Sequence, residues 1–258
     1  MRILVCVKQV PFEDSPLVIR EDRRWIADHE DMAYTMNRYD EHAMEEAVAI
    51  AESFPGVVVD AISVGPPRVV QTLRRALAFG AKKGIHILLP EEACPTPFEI
   101  ASLIANFAKH EAYDLIFAGV MAEDDMQCLV GPLLAAILSI PCITAVIKTD
   151  LQPEKGKIGV VSEVEGGFHE RSMLTLPALV TIQSGVNTPR YPALSHVLRS
   201  KSQPLTVIDG GAFKDRRPRE SVTALSVPKR PEKGEILQGS PEEKAKALLA
   251  LFHEHSLL

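Results

Sequence analysis

Short aliphatic runs alternate along this chain with amphipathic stretches, and that alternation constrains the fold more than any single motif. Arg2 to Val10 (RILVCVKQV) is a nearly unbroken β-branched and aliphatic run, the pattern of a strand buried on both faces of a parallel sheet, and it predicts a central strand. Asp40 reads as a cap or first-turn acid of an amphipathic helix reaching Ala51, which Pro55-Gly56 stops. Val57 to Val64 predicts a second strand, Val69 to Leu77 a second helix and Ile85 to Leu89 a third strand. Thr96-Pro97 opens a helix with Ile100, Leu103, Ile104 and Phe107 on one face, followed by a strand over Asp114 to Gly119 and a helix over Leu129 to Ile140. Strands and helices repeating in this order give an α/β protein with a parallel sheet and right-handed crossovers.

After Pro141 the rhythm changes. Ile143 to Thr149, Lys157 to Glu165 and Ser172 to Leu176 read as shorter strands separated by turn-rich sequence at Pro153 to Gly156 and Gly166-Gly167, an antiparallel meander added to the sheet. Ala178 to Gln183 predicts another strand. Beyond Asp209 periodicity fades until a final helix over Pro241 to His253, so 1–208 is expected to be the folded α/β domain and 209–258 an arm lying along that domain or a partner.

Composition narrows the partners. Hydrophobic residues make up 46% and charged residues 24%, the balance of a folded soluble protein, and no run is long and apolar enough for a transmembrane segment. A net charge of −6, with 5% aromatics and Trp25 as the single tryptophan, argues against nucleic acid and leaves small ligands and proteins. The four cysteines form no CxxC pair, so neither zinc nor a disulfide framework is expected, and with no export signal the expected home is a reducing cytoplasm.

Ligands of parallel sheets sit at the carboxyl ends of strands, and three segments arrive there: Cys6 to Val10, Ser63 to Pro66 and Gly119 to Pro132. The chain has no GxGxxG, no GxxxxGK[ST] and no GxSxG, which excludes the usual dinucleotide, P-loop and hydrolase signatures. Glu123-Asp124-Asp125 reads as an acidic helix start complementing the macrodipole; a metal site would need further ligands in the same loop.

Several segments together resemble the beta subunit of electron transfer flavoprotein: Ile3 to Val10, Met36-Asn37-Arg38-Tyr39-Asp40-Glu41, Val64-Gly65-Pro66 and Ala76 to Ala81. The match continues through Gly119 to Ala122, Glu163 to Gly167, Leu176 to Thr181 and Asn187 to Pro192. The resemblance covers roughly residues 1–208 and implies an adenine-nucleotide-binding α/β sandwich of the HUP-like kind. It implies a heterodimer whose alpha subunit carries the redox-active FAD, while this subunit binds AMP or a second FAD. Carried over position by position, the nucleotide site would comprise Cys6, Asn37, Arg38, Tyr39, Asp40, Val64, Gly119, Glu123, Asp124, Asp125, Met126, Gln127, Cys128, Leu129, Val130, Gly131 and Pro132. Val130-Gly131-Pro132 is more similar to the electron-bifurcating members, which tips the expectation toward FAD, whereas Val120-Met121 stands where the family carries Lys-Gln.

By the same resemblance, Arg190, Tyr191 and Leu194 would form a docking loop for an acyl-CoA or related dehydrogenase, with electrons passing on to a quinone reductase or another acceptor. Fatty acid oxidation is the setting this implies, and the subunit is an electron carrier rather than a bond-making enzyme. The alternative is a stand-alone adenine-nucleotide-binding regulatory protein of the same fold, for which residues 209–258 would be superfluous. An ATP-pyrophosphatase would need a Ser-Gly-Gly-rich loop after the first strand, which Lys8-Gln9-Val10-Pro11 does not offer.

Overall fold

Successive residues of the first strand serve opposite faces of the sheet, and this sets the layers. In a computed structural model that describes residues 1–212, 219–228, 234 and 236–257, β1 (Arg2–Cys6) turns Ile3 and Val5 to one cluster and Leu4 and Cys6 to another. The first cluster takes Ala43, Met44, Ala47 and Val48 from α1 (Arg38–Ser53) and Leu73, Ala76 and Leu77 from α2 (Val70–Phe79). The second takes Ala101, Leu103, Ile104 and Ala105 from α3 (Pro97–Ala108) and Leu134 and Ala135 from α4 (Val130–Leu138). Helices therefore cover both faces of the sheet, and the α/β expectation holds.

The remaining strands are β2 (Gln9–Pro11), β3 (Tyr34–Met36), β4 (Val58–Gly65), β5 (Lys83–Leu88), β6 (Leu115–Gly119), β7 (Cys142–Gln152), β8 (Lys157–Val164), β9 (Phe168–Thr175), β10 (Ala178–Ile182) and β11 (Leu205–Asp209). The main sheet has nine strands in the order β11-β5-β4-β1-β6-β10-β7-β8-β9. Every pairing from β11 to β7 is parallel, and β7-β8-β9 is the expected antiparallel meander. β1 is central, as its composition requires.

Three local expectations need correction. The first strand stops at Cys6 rather than Val10, because Gln9 to Pro11 peels away to pair antiparallel with Tyr34 to Met36 in a separate two-stranded sheet. Residues from Leu194 onward, expected as a loop, form α5 (Leu194–Ser202), whose end is held where Arg74 of α2 donates to the carbonyls of Ser200 and Gln203. The chain then adds β11 at the sheet edge, parallel to β5, an element the sequence reading leaves out.

The contacts divide the chain into two units, Met1–Ala224 and Leu225–Leu258, so the first unit runs past residue 208. The second unit contains α6 (Pro241–Glu254), opened by a capping box between Ser240 and Glu243. Arm residues 213–218, 229–233, 235 and 258 lie outside the described residues.

Candidate functional site

A cavity of about 660 Å³ opens at the carboxyl ends of β1, β4 and β6, where the three expected segments converge. Of the residues expected there, Cys6, Asn37, Asp40, Val64, Gly119, Asp124, Asp125 and Gln127 through Gly131 line its wall. Arg38, Tyr39, Glu123, Met126 and Pro132 are not in that wall. Arg38 instead reaches Glu13 at 2.6 Å and Glu123 at 3.4 Å, and Met126 is exposed.

Asp40 organises the floor. Its position in the first turn of α1 brings the carboxylate between two strand ends, where Oδ2 accepts from the Lys8 amide at 2.7 Å and Oδ1 from the Gly119 amide at 2.9 Å. Burial pushes its pKa up to about 7, against the pull of these hydrogen bonds and of Asn37. The helix comes so close that a Cβ on Gly119 would lie 2.7 Å from Tyr39 Cβ and would also overlap the Asp40 carboxylate. Only glycine fits there. Buried Asn37 ties in the loop after β6: its Nδ2 donates to the Met121 carbonyl at 2.8 Å and its Oδ1 accepts from the Glu123 amide at 3.2 Å. Burial, reinforced by the Asp40 charge, pushes the Cys6 thiol far above the usual range, which disfavours the nucleophilic thiolate.

The acidic trio does not start a helix. α4 begins at Val130, with no acid in its first turn and no side-chain cap from Leu129, while Asp124 and Asp125 hold the Lys8 ammonium at 2.7 and 3.0 Å. Burial pulls the Lys8 pKa down, but the two carboxylates outweigh it and the value ends above the usual one. The start of α4 thus borders the cavity with its first-turn amides free of any acidic side chain, the arrangement that receives an anion. Gly131 allows the helix to seat against the sheet, because a Cβ there would lie 2.6 Å from Thr181 Cγ2. Among the described residues, no group of three or more His, Cys, Asp or Glu is placed to hold a metal ion.

Sequence reasoning missed part of the wall. Trp25, Tyr34, Arg68, Glu99 and Glu220 through Val222 all line the cavity and lie outside the three expected segments. Lys8 was within reach of inference as a cation directly after a strand, but nothing in the sequence around Trp25 brings the 12–33 excursion to the mouth.

The family model described as "Electron transfer flavoprotein domain" matches residues 24–211. The chain is 34% identical over 233 residues to the protein of Bacillus subtilis named electron transfer flavoprotein subunit beta, covering 86% of this chain and 87% of that one. The proteins of the same name from Methylophilus methylotrophus and Homo sapiens are 30% and 34% identical, covering 98% and 82% of each chain in turn. The chain belongs to the electron transfer flavoprotein beta-subunit family. Its setting is therefore electron transport by a flavoprotein, and the resemblance read from the sequence is confirmed.

In this family member the segment leading into α5 is held by a hydrogen-bonded clamp on α1. Arg190 donates to Glu45 from Nε at 3.0 and 2.9 Å and from NH2 at 2.7 Å, and to Glu52 from NH1 at 2.6 Å. The hydrogen bonds of Glu52 and Glu45 raise the arginine's pKa. Tyr191 is 94% exposed and Leu194 72% exposed, so the clamp leaves both apolar side chains in solvent. Among the described residues no helix is long and apolar enough to cross a membrane.

Proposed function

We propose that this chain is the nucleotide-holding partner of an alpha subunit, and that together they carry electrons from an acyl-CoA or related dehydrogenase to a quinone reductase or another acceptor. The observation that carries the nucleotide reading is the uncapped start of α4 at the cavity, a seat for phosphate beside an apolar floor of Cys6, Ile62, Val64 and Ala118 suited to a purine. The residues fit the group. Lys8 spends its charge on Asp124 and Asp125, so phosphate is held by backbone amides rather than by an ammonium.

The ligand we favour is a second FAD over AMP. The lining runs on from the β1 and β4 ends and α4 to Trp25, Ile26, Tyr34 and Arg68, more wall than a mononucleotide would meet, and a dinucleotide has a second half to reach it. A bound flavin supplies the electron chemistry; the chain's residues bind and orient it and exclude water. Exposed Tyr191 and Leu194 would meet the dehydrogenase as an apolar anchor, with Arg190 fixing their base. Residues 225–258, the second unit, would supply the arm that engages the alpha subunit. Four free thiols suit a reducing compartment, which we take to be the cytoplasm, although the Arabidopsis thaliana relative is named mitochondrial.

The test is to co-purify the chain with its alpha subunit, denature the complex and chromatograph the released nucleotides. Two FAD per heterodimer is the expected result, and one FAD with one AMP would correct the ligand. A colourless protein that never associates with such a subunit would overturn the function.

A further inference from the structure

The cavity wall is made of the ends of β1, β4 and β6, the starts of α1, α3 and α4, and the loops that join them, the 120–129 loop above all. Two further stretches of wall arrive from elsewhere in the chain. One is the excursion at Arg24 to Ile26, pinned by the Ile19–Ile26 bridge, by the Arg20 amide donating to the Trp25 carbonyl at 2.9 Å, and by Arg20 NH1 on the Glu92 carbonyl at 3.1 Å. The other is Glu220 to Val222, from a part of the chain that the sequence assigns to the arm.

The hydrogen bond and the ring contact that hold this second stretch both go to Phe98, in the first turn of α3. Thr96 and Glu99 already form a capping box around that turn, with Pro97 at its first position. The Phe98 amide is left over, and it donates to Glu220 Oε1 at 3.2 Å. Next to it the Arg219 guanidinium lies 4.8 Å from the centre of the Phe98 ring. A carboxylate at a helix start and a cation over an aromatic face are both favourable, and both are exposed and screened by salt. Such a contact opens without disturbing the core.

We propose that Glu220 to Val222 are part of the ligand site and, with Arg219, form a strap fastened to the start of α3 that governs how fast an adenine nucleotide leaves the cavity. This rests on the nucleotide reading above. Weakening the fastening speeds release and leaves the fold and the alpha subunit's flavin untouched, because Glu220 and Arg219 are exposed and pack in neither buried cluster.

The experiment uses the full heterodimer, loaded separately with AMP and with FAD and diluted into an excess of unlabelled nucleotide. Release is timed for the wild type, Glu220→Gln, Glu220→Lys and Arg219→Ala. The expected order is wild type slowest, Glu220→Gln and Arg219→Ala about three- to tenfold faster, and Glu220→Lys fastest, since it sets a cation against the helix start. Melting temperatures and the alpha subunit's flavin spectrum stay unchanged. Rates equal across the four proteins overturn the strap while the nucleotide reading stands. A wild-type complex that binds neither AMP nor FAD overturns the nucleotide reading and the strap together.

Discussion

Asp40 is the residue on which the two most conflicting demands fall. It is buried beside a cavity that we read as a phosphate site, yet its charge is what draws the Lys8 and Gly119 amides inward. Its carboxyl is raised to about 7, above the ordinary value it takes in the unfolded chain, so the native state holds the extra proton between about pH 4 and pH 7. Its contribution to stability is thus full below pH 4 and is lost as pH rises through 7. Denaturant melts from pH 4 to 8 are expected to show the wild type losing stability relative to Asp40→Asn across that window; a difference that is flat, or that grows with pH, would contradict this. Asn also offers one acceptor where the carboxylate offers two, so hydrogen exchange at Lys8 or Gly119 accelerates in the variant. Gly119→Ala is the sharper lesion. The new methyl overlaps Tyr39 and Asp40, and either α1 or β6 must shift, at a cost of about 1–3 kcal/mol. Nucleotide content of the purified complex falls with it, whereas Gly156→Ala, which meets open space on the meander at a positive φ, lowers stability without lowering nucleotide content.

At the scale of elements, α1 connects two places. Its first turn builds the cavity floor, and one turn and more further on Glu45 and Glu52 hold Arg190. The two carboxylates are unequal: Glu45 is 9% exposed and Glu52 58%. Glu45→Gln is therefore expected to destabilise by about 1–2 kcal/mol and to raise hydrogen exchange across 187–193, because it strands part of a half-buried guanidinium. Glu52→Gln costs under about 0.5 kcal/mol, an exposed pair being well screened. Equal effects would mean that Glu45 is no more than a surface partner. None of this clamp is visible in sequence, since Arg190 lies far along the chain from both acids and a lone arginine carries no spacing signal. What is visible is what local pattern encodes. The β1, β4 and β6 runs read as buried strands because helices cover both faces, and the Thr96-Pro97 helix start reads through its capping box. The failures lie where tertiary pairing overrides pattern. Ser172 is too late a start for β9, which begins at Phe168, because His169, Glu170 and Arg171 face solvent and hide the strand's alternation. β10 inserts between β6 and β7, a choice among strand orders that period-two patterning cannot make. At the site, residues on strand ends were legible, whereas Trp25 and Glu220 reach the cavity through irregular chain with no period to read.

At the scale of the whole molecule, the distribution of buried apolar surface bears on the role of residues 225–258. Both hydrophobic clusters are built from residues between Met1 and Ile208, and the first unit closes at Ala224. In the second unit, α6 has its own capping box but buries none of its residues, and Leu248 and Leu249 stand exposed on it. A 14-residue helix with an apolar face in water gains little from propensity alone and needs a surface to pack on. If that surface belongs to the alpha subunit, a chain truncated after Ala224 keeps its cooperative melt within about 3 °C of the full chain, roughly 1 kcal/mol at this length. The same truncation weakens association with the alpha subunit by at least tenfold, measured by titration of the separated subunits. Leu248→Asp with Leu249→Asp, which keeps the helix and removes its apolar face, is expected to reproduce that loss. A truncated chain that melts far lower assigns the arm to this subunit's own fold, and one that associates at full strength removes the arm from the interface.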